Sequence, residues 1–370
     1  MKPLLFVCSL LDAGGAERHW ATLLPALLDR GLPVRLVGVK GGGRAFESVR
    51  DAGVPTRILG GRGGIASAVK LFDLRRDFDA GLAAVVTWGF DAHFLGGRLA
   101  SRYRVPHVLH WHPGPGVHVS ALQRVALSLA IRSGAGALAV SASQLPDLRR
   151  LGFSESRIAI GPPGVPCPVV DFAGANEARA GLGLPVDAFI PALVGRLAPE
   201  KRIDRFVDAV GALQRKGLRV VGLIVGDGPE LPRLRDRASA AGVSIEFAGY
   251  QSVVGNYMCA ADVVCLTSDR EALPLSLLEA AACGRASVAM EVGGVADVVV
   301  HEQTGLVTPA GDVDAFADAL EALATSPDVA FEYGRRARVR WEAMYSVEAM
   351  ADGHYELLTN VSGPPVAWRS

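Results

Sequence analysis

Three features of the sequence predict two α/β domains, each a parallel sheet wound on both faces by helices. Short apolar runs of strand length alternate with helical periods along nearly the whole chain. Glycine-rich turns follow several of these runs, as they do where a strand turns sharply into a helix. The alternation restarts after a proline-rich stretch from Gly161 to Pro168, which reads as a connector. At 370 residues the chain can fill two cores. The expected boundaries are a first domain over 1–168, a second over 169–340, and a terminal segment over 341–370.

In chain order, residues 4–10 are an apolar run, followed by a loop with Gly14 and Gly15. An amphipathic helix then extends to about Leu28, and Pro25 is expected to kink it or end it early. Runs at 34–39, 83–87, 105–111, 135–141 and 157–160 read as further strands, with a helix over 46–52. In the second half, strands are expected at 189–194, 220–225, 245–247, 263–266 and 286–290. The stretches 304–309 and 315–324 complete that domain. Ile203, Phe206, Val207, Val210 and Leu213 recur with the 3.6-residue period of a helix. Residues 335–358 read as one amphipathic helix carrying Trp341, Tyr345, Met350 and Tyr355.

Composition narrows the function classes. The chain is 50% hydrophobic with a mean hydropathy of +0.27, yet no run reaches the roughly 18 apolar residues of a spanning helix. The N-terminus runs directly into a strand pattern without a cleavage site, so a cytoplasmic protein is expected. The five cysteines lack metal spacing and are expected as reduced core residues. The net charge of zero hides a division. Residues 1–168 hold 20 Lys/Arg against 11 Asp/Glu, and the remainder 18 against 27. A basic first domain fits an anionic partner, a membrane surface or phosphorylated lipid. No recognition helix, zinc pattern or aromatic RNA motif supports nucleic acid. Arg98, Arg102 and Arg104 concentrate this charge, either as a solvated face or as a contact for membrane phosphates or a charged acceptor.

The most informative stretch runs from Thr267 to Glu279. An apolar strand at 263–266 opens into a polar loop, and Pro274 stands where a helix would begin. The first-turn amides of Leu275, Ser276 and Leu277 would lie between Glu271 and Glu279 and could receive an anion. Two carboxylates around an amide cradle suit a nucleotide diphosphate carrying a sugar, although two surface glutamates would look the same. Arg196 and Lys201, after the strand at 189–194, are the cations a diphosphate would gather. Gly14 and Gly15 allow close backbone approach to a ligand. Among His107, His110 and His112, the last stands just before a loop and is best placed to reach a ligand. His110 and His112 share a strand face, but no third ligand lies nearby in sequence, so neither a metal nor a cofactor is expected.

Together these motifs resemble the retaining, nucleotide-sugar-dependent glycosyltransferases of the GT-B architecture, in the large group 1, family 4-like set that shares a Glu-x7-Glu signature. The resemblance rests on Gly14 to Arg18, His112, Gly195 to Leu197 with Glu200 and Lys201, Gly226 to Pro229, Glu271 and Glu279, Gly293 to Val295, and Gly305 to Val307. It implies two Rossmann-like domains facing across a cleft, with the acceptor on the first, the donor on the second, and a terminal helix crossing back. It further implies that Arg196, Lys201 and the amides after Pro274 neutralise the leaving diphosphate in place of a metal. Glu279 would hold the ribose and Glu271 the transferred sugar, with Gly226 in the donor-binding set. His112 would contact the sugar, and Gly14 and Gly15 would close over the diphosphate. The expected partners are a nucleotide diphosphate sugar, commonly a UDP-sugar in this family, and a glycan or lipid-linked acceptor of cell-surface biosynthesis, met at the inner face of the membrane. A sugar-nucleotide epimerase, a phosphorylase-like enzyme or an inactive sugar-nucleotide-binding protein are the rival readings.

Overall fold

The computed structural model describes residues 2–11, 15–60, 81–114, 116, 119–132, 134–171 and 174–361. The chain divides into two compact units, one of Met1–Gly164 with Val347–Ser370, the other of Val165–Ser346.

The first unit is built on seven parallel strands: β1 (Leu4–Cys8), β2 (Val34–Gly38), β3 (Thr56–Ile58), β4 (Ala84–Trp88), β5 (His107–Trp111), β6 (Gly136–Ala139) and β7 (Ile158–Ile160). Their spatial order is β3-β2-β1-β4-β5-β6-β7. Every residue of β1 is buried, because helices cover both faces of the sheet. Leu4, Phe6 and Cys8 face the core shared with the helix Gly15–Asp29, and Leu5 and Val7 face that of the helix Phe90–Tyr103. Gly96 lets the latter helix lie close to the sheet, since a Cβ there would stand 2.1 Å from Thr87 Cγ2.

The second unit holds six parallel strands: β8 (Pro191–Val194), β9 (Gly222–Val225), β10 (Ile245–Gly249), β11 (Val263–Leu266), β12 (Ala286–Met290) and β13 (Gly305–Thr308). They lie in the order β10-β9-β8-β11-β12-β13. The helices Ile203–Arg215 and Val313–Thr325 seal one face through Phe206, Val210, Phe316 and Leu320. In each sheet the strand order reverses beside the first strand, between β1 and β4 and between β8 and β11. Loops leaving the carboxyl ends of such a pair diverge and leave a crevice.

Several expectations are corrected. The helix Gly15–Asp29 does not end at Pro25 but runs on through it. Trp20, Leu23, Leu24 and Leu27 on either side of the proline are buried, and this packing outweighs the lost backbone bond. The single helix expected over 335–358 is two, Pro327–Met344 and Val347–Val361. The break is held by the Trp341 carbonyl, which accepts from the amides of both Tyr345 and Ser346. The boundaries fall at Gly164/Val165 and Ser346/Val347, and the two crossings are tied together: the Val165 amide donates to the Tyr345 carbonyl, and Trp341 Nε1 to the Val165 carbonyl. Cys167, expected in the core, is exposed in this connector. The three-residue β3 was not anticipated, since its side chains carry no apolar alternation. Among the described residues no helix is long and apolar enough to cross a membrane.

The first unit buries an unusual number of histidines. His19, His93, His107, His110 and His354 are 1–5% exposed. Thr87 Oγ1 lies 2.8 Å from His93 Nδ1 and 2.9 Å from His107 Nε2. Burial pushes His93 and His112 down to about 3, and His107 and His354 down to about 4, with neighbouring histidines adding to the effect on His93 and His112. His19 and His110 are driven down by the same causes. With folded values below the unfolded 6.5, the unfolded chain binds more protons as pH falls below 6.5, and each group withdraws up to about 1.4 kcal/mol per pH unit until its folded value is reached. Stability of this unit in metal-free buffer should therefore fall steeply between pH 6.5 and 5, and His354→Leu should lessen the slope by about one proton. Urea midpoints that stay constant from pH 7 to 5 would contradict this account.

Candidate functional site

The sequence places Gly195, Arg196 and Lys201 after β8 and the stretch from Thr267 to Glu271 after β11, so both loops emerge at the reversal point of the second sheet. They are joined by main chain, the Asp269 amide donating to the Glu200 carbonyl at 2.8 Å. The Thr267 hydroxyl adds a bond to the Lys201 carbonyl at 3.2 Å. On the other side, the loop after β9 lies backbone to backbone against the loop after β8. A Cβ on Gly226 would stand 1.9 Å from the Gly195 carbonyl oxygen, and one on Gly228 2.3 Å from that of Leu197. Only glycine permits this approach. Gly195, Arg196, Lys201, Thr267 and Ser268, with apolar ends of β8 and β11, line a recess there.

Lys201 Nζ meets Glu271 Oε1 at 2.6 Å, with side chains 26% and 10% exposed. Ser268 Oγ donates to the same oxygen at 2.7 Å. The two residues singled out as cation and carboxylate are thus one ion pair, its acid held by a hydroxyl as well. Arg196, 69% exposed, pairs with Glu200 at 2.6 Å. Arg205 holds the loop from beneath, meeting Asp269 at 2.7 Å and donating to the Thr267 carbonyl at 3.1 Å.

Beyond Glu271, Pro274 caps the helix Leu275–Ala282. The amides of Leu275 and Ser276 have no carbonyl a turn earlier within the helix. The Leu277 amide, expected to share their role, donates to the Pro274 carbonyl at 3.1 Å. Glu279 lies inside the helix and is only 5% exposed.

In the first unit, Gly15 opens the helix Gly15–Asp29 after β1; Gly14 lies outside the described residues. His112 follows β5 directly, its Nε2 buried and its ring 5.6 Å from Trp88. Its lowered pKa keeps the imidazole neutral at pH 7, able to donate or accept a hydrogen bond according to tautomer. His107 and His110 are packed inside. Arg98, Arg102 and Arg104 are all exposed, and Arg98 lies 5.5 Å from the Phe94 ring centre. Phe94, Val125 and Leu129 are large apolar residues exposed on the helices Phe90–Tyr103 and Ala121–Arg132.

Sequence reasoning missed Ser268, whose hydroxyl carries no signature of its own, and Arg205, which looks like any helix-surface arginine. It also missed His19. The absent third partner for His110 and His112 comes from the helix after β1: one ring nitrogen from each of the three lies within 4.8 Å of the others.

Residues 175–340 match the family model for glycosyl transferases group 1, and residues 13–167 that for Glycosyltransferase Family 4. Among curated proteins, a D-inositol 3-phosphate glycosyltransferase of Saccharomonospora viridis is 37% identical over 203 residues, 50% of this chain and 47% of that protein. One of the same name from Streptomyces bingchenggensis is 31% identical over 303 residues, 73% of this chain and 67% of that protein. The chain spans about half the length of the first of these relatives. Among solved structures, Anabaena HepE in complex with UDP superposes with a TM-score of 0.85 at 19% identity, covering 97% of this chain and all of HepE. A UDP-glucose complex of the same protein gives 0.83. At that identity the likeness speaks for the fold alone. With the two parallel-sheet units and the family models that match them in turn, the chain belongs to the group 1 glycosyltransferases of the GT-B fold.

Proposed function

We propose that this protein transfers a sugar from a nucleotide diphosphate sugar to an acceptor hydroxyl, with retention at the anomeric carbon and without a metal at the diphosphate. The observation that carries the reading is the half-buried Lys201–Glu271 pair, braced by Ser268, at the mouth of the reversal point between β8 and β11. A diphosphate entering beside Arg196 and the amides of Leu275 and Ser276 would share the ammonium of Lys201 with Glu271. The carboxylate oxygens of Glu271 would then be available to sugar hydroxyls, and Glu279 would receive the ribose hydroxyls. Negative charge grows on the phosphate oxygen as the anomeric C–O bond breaks, and the cations are most valuable there. The acceptor oxygen bonds to the anomeric carbon and its proton passes to the departing phosphate, so no enzymic nucleophile is required. Neutral His112 would hydrogen-bond the sugar. The solved HepE complexes with UDP and UDP-glucose support a uridine nucleotide as first donor to try.

For the acceptor, a glycan or lipid-linked hydroxyl at the inner face of the membrane fits the basic first unit with its exposed Arg98, Arg102 and Arg104 and the exposed Phe94, Val125 and Leu129. A second reading is favoured by the names of the relatives: a phosphorylated cyclitol such as D-inositol 3-phosphate, which would also seek basic side chains.

Lys201→Ala should lower kcat by about 10²-fold or more while leaving the circular dichroism unchanged, and EDTA should leave the wild-type rate undiminished. Undiminished turnover of the true donor in Lys201→Ala would refute the site assignment, and strict dependence on added Mg²⁺ would refute the account of the leaving group. The two acceptor readings separate on anionic vesicles at low salt. Sedimentation of the wild type, lost when Arg98, Arg102 and Arg104 are all changed to Gln, supports the membrane-borne acceptor. Failure to sediment together with turnover of D-inositol 3-phosphate supports the soluble one.

A further inference from the structure

Beneath the loop that carries His112, two helices and a strand converge on a core region filled with imidazoles. His19 comes from the helix Gly15–Asp29, His110 from β5, His112 from the residue after it, and His354 from the helix Val347–Val361. Ring centres are 4.3 Å apart for His110 and His112, 4.9 Å for His19 and His110, and 5.3 Å from His19 to both His112 and His354. Both ring nitrogens of His19 are buried without a hydrogen-bond partner, as is Nε2 of His110, His112 and His354. Buried polar atoms are nearly always satisfied. Five ring nitrogens without a partner gather in this one region, and the lone pairs among them are open to a Lewis acid.

We propose that His19, His110 and His112 bind a late first-row divalent cation, Zn²⁺ above all, with His354 closing the shell from the C-terminal helix. One ring nitrogen of each of the first three lies within 4.8 Å of the other two. Nitrogen ligands about 2.0–2.1 Å from tetrahedral zinc stand about 3.4 Å apart, so small rotations of the imidazoles complete the site. An all-imidazole set without carboxylates suits Zn²⁺, Cu²⁺, Ni²⁺ or Co²⁺ and not Mg²⁺ or Ca²⁺. His354 shows the outer contact typical of a ligating histidine: its Nδ1 lies 2.9 Å from the Met350 carbonyl, which leaves the lone pair on Nε2. Trp20 Nε1 donates to His110 Nδ1 at 2.8 Å. Ligation of His110 through Nδ1 displaces this indole, and ligation through Nε2 moves the ring proton to Nδ1, which then no longer accepts from Trp20, so both routes break the Trp20–His110 bond. The partly exposed His112 is the entry point.

The ion has a consequence for transfer that rests on the role proposed above for His112. A ring coordinated to metal cannot hydrogen-bond a sugar, so occupancy of this site inhibits the enzyme from within the first unit. The diphosphate needs no metal, and this ion acts as a brake.

Tag-free, chelator-stripped protein titrated with Co²⁺ should develop the ligand-field absorption of a nitrogen-ligated tetrahedral ion at one equivalent, with a change in tryptophan fluorescence, and Zn²⁺ should displace it. His19→Leu should abolish the signal. His19→Gln, which keeps a polar side chain of similar size, serves the same purpose should the leucine variant fold poorly. Absence of saturable one-to-one binding in the wild type, or undiminished binding in a folded His19 variant, would overturn the proposal. In assays, Zn²⁺ should inhibit the wild type at the concentration that fills the site, and EDTA should restore the rate. His19→Gln should retain basal activity with an inhibition constant raised at least tenfold. Stoichiometric binding without inhibition would uphold the metal site and remove His112 from the sugar.

Discussion

A carboxylate that is nine-tenths covered must be paired, and at the mouth of the second sheet that requirement falls on Glu271. Lys201 and Ser268 both converge on one of its oxygens, and the residues that bear them belong to two different strand-ending loops. Satisfying Glu271 therefore fixes the loop after β8 against the loop after β11, and the main-chain bond from Asp269 to Glu200 continues the same seam. The third wall comes from steric exclusion, since the carbonyls of Gly195 and Leu197 occupy the space that side chains at positions 226 and 228 would need. The recess is thus shaped by electrostatics on one side and by the absence of Cβ atoms on the other.

The first unit solves a different problem in an unusual way. Its core accepts imidazoles where leucines would ordinarily be found, and burial keeps those rings neutral. Part of this polarity is engaged, as where Thr87 Oγ1 lies between His93 Nδ1 and His107 Nε2, and part is not, as at His107 Nδ1 and around His19. The helix Val347–Val361 joins this core through Met350, His354 and Leu358, which couples the last helix among the described residues to the strand that positions His112.

Much of the fold was legible because parallel strands buried on both faces leave a strong mark: short continuous apolar runs, separated by helical periods and glycine turns. The failures have local causes. Pro25 was overruled by packing on both sides of it, the short edge strand β3 has no apolar pattern to betray it, and the break at Tyr345 and Ser346 is set by hydrogen bonds to Trp341 and Val165 that no periodicity encodes.

By itself the sequence determined the two-unit α/β organisation, the charge imbalance between its halves, and the residue types at the mouth of the second sheet, because spacing along a strand-loop-helix segment fixes which groups stand at a strand's end. Tertiary structure alone decided who pairs with whom. Lys201 and Glu271 are 70 residues apart and His19 lies 91 residues before His110. Only the sheet order, which sets β8 beside β11 and brings the helix after β1 to β5, makes them neighbours. Contacts of that kind depend on which strands lie side by side, and a one-dimensional pattern does not carry that information.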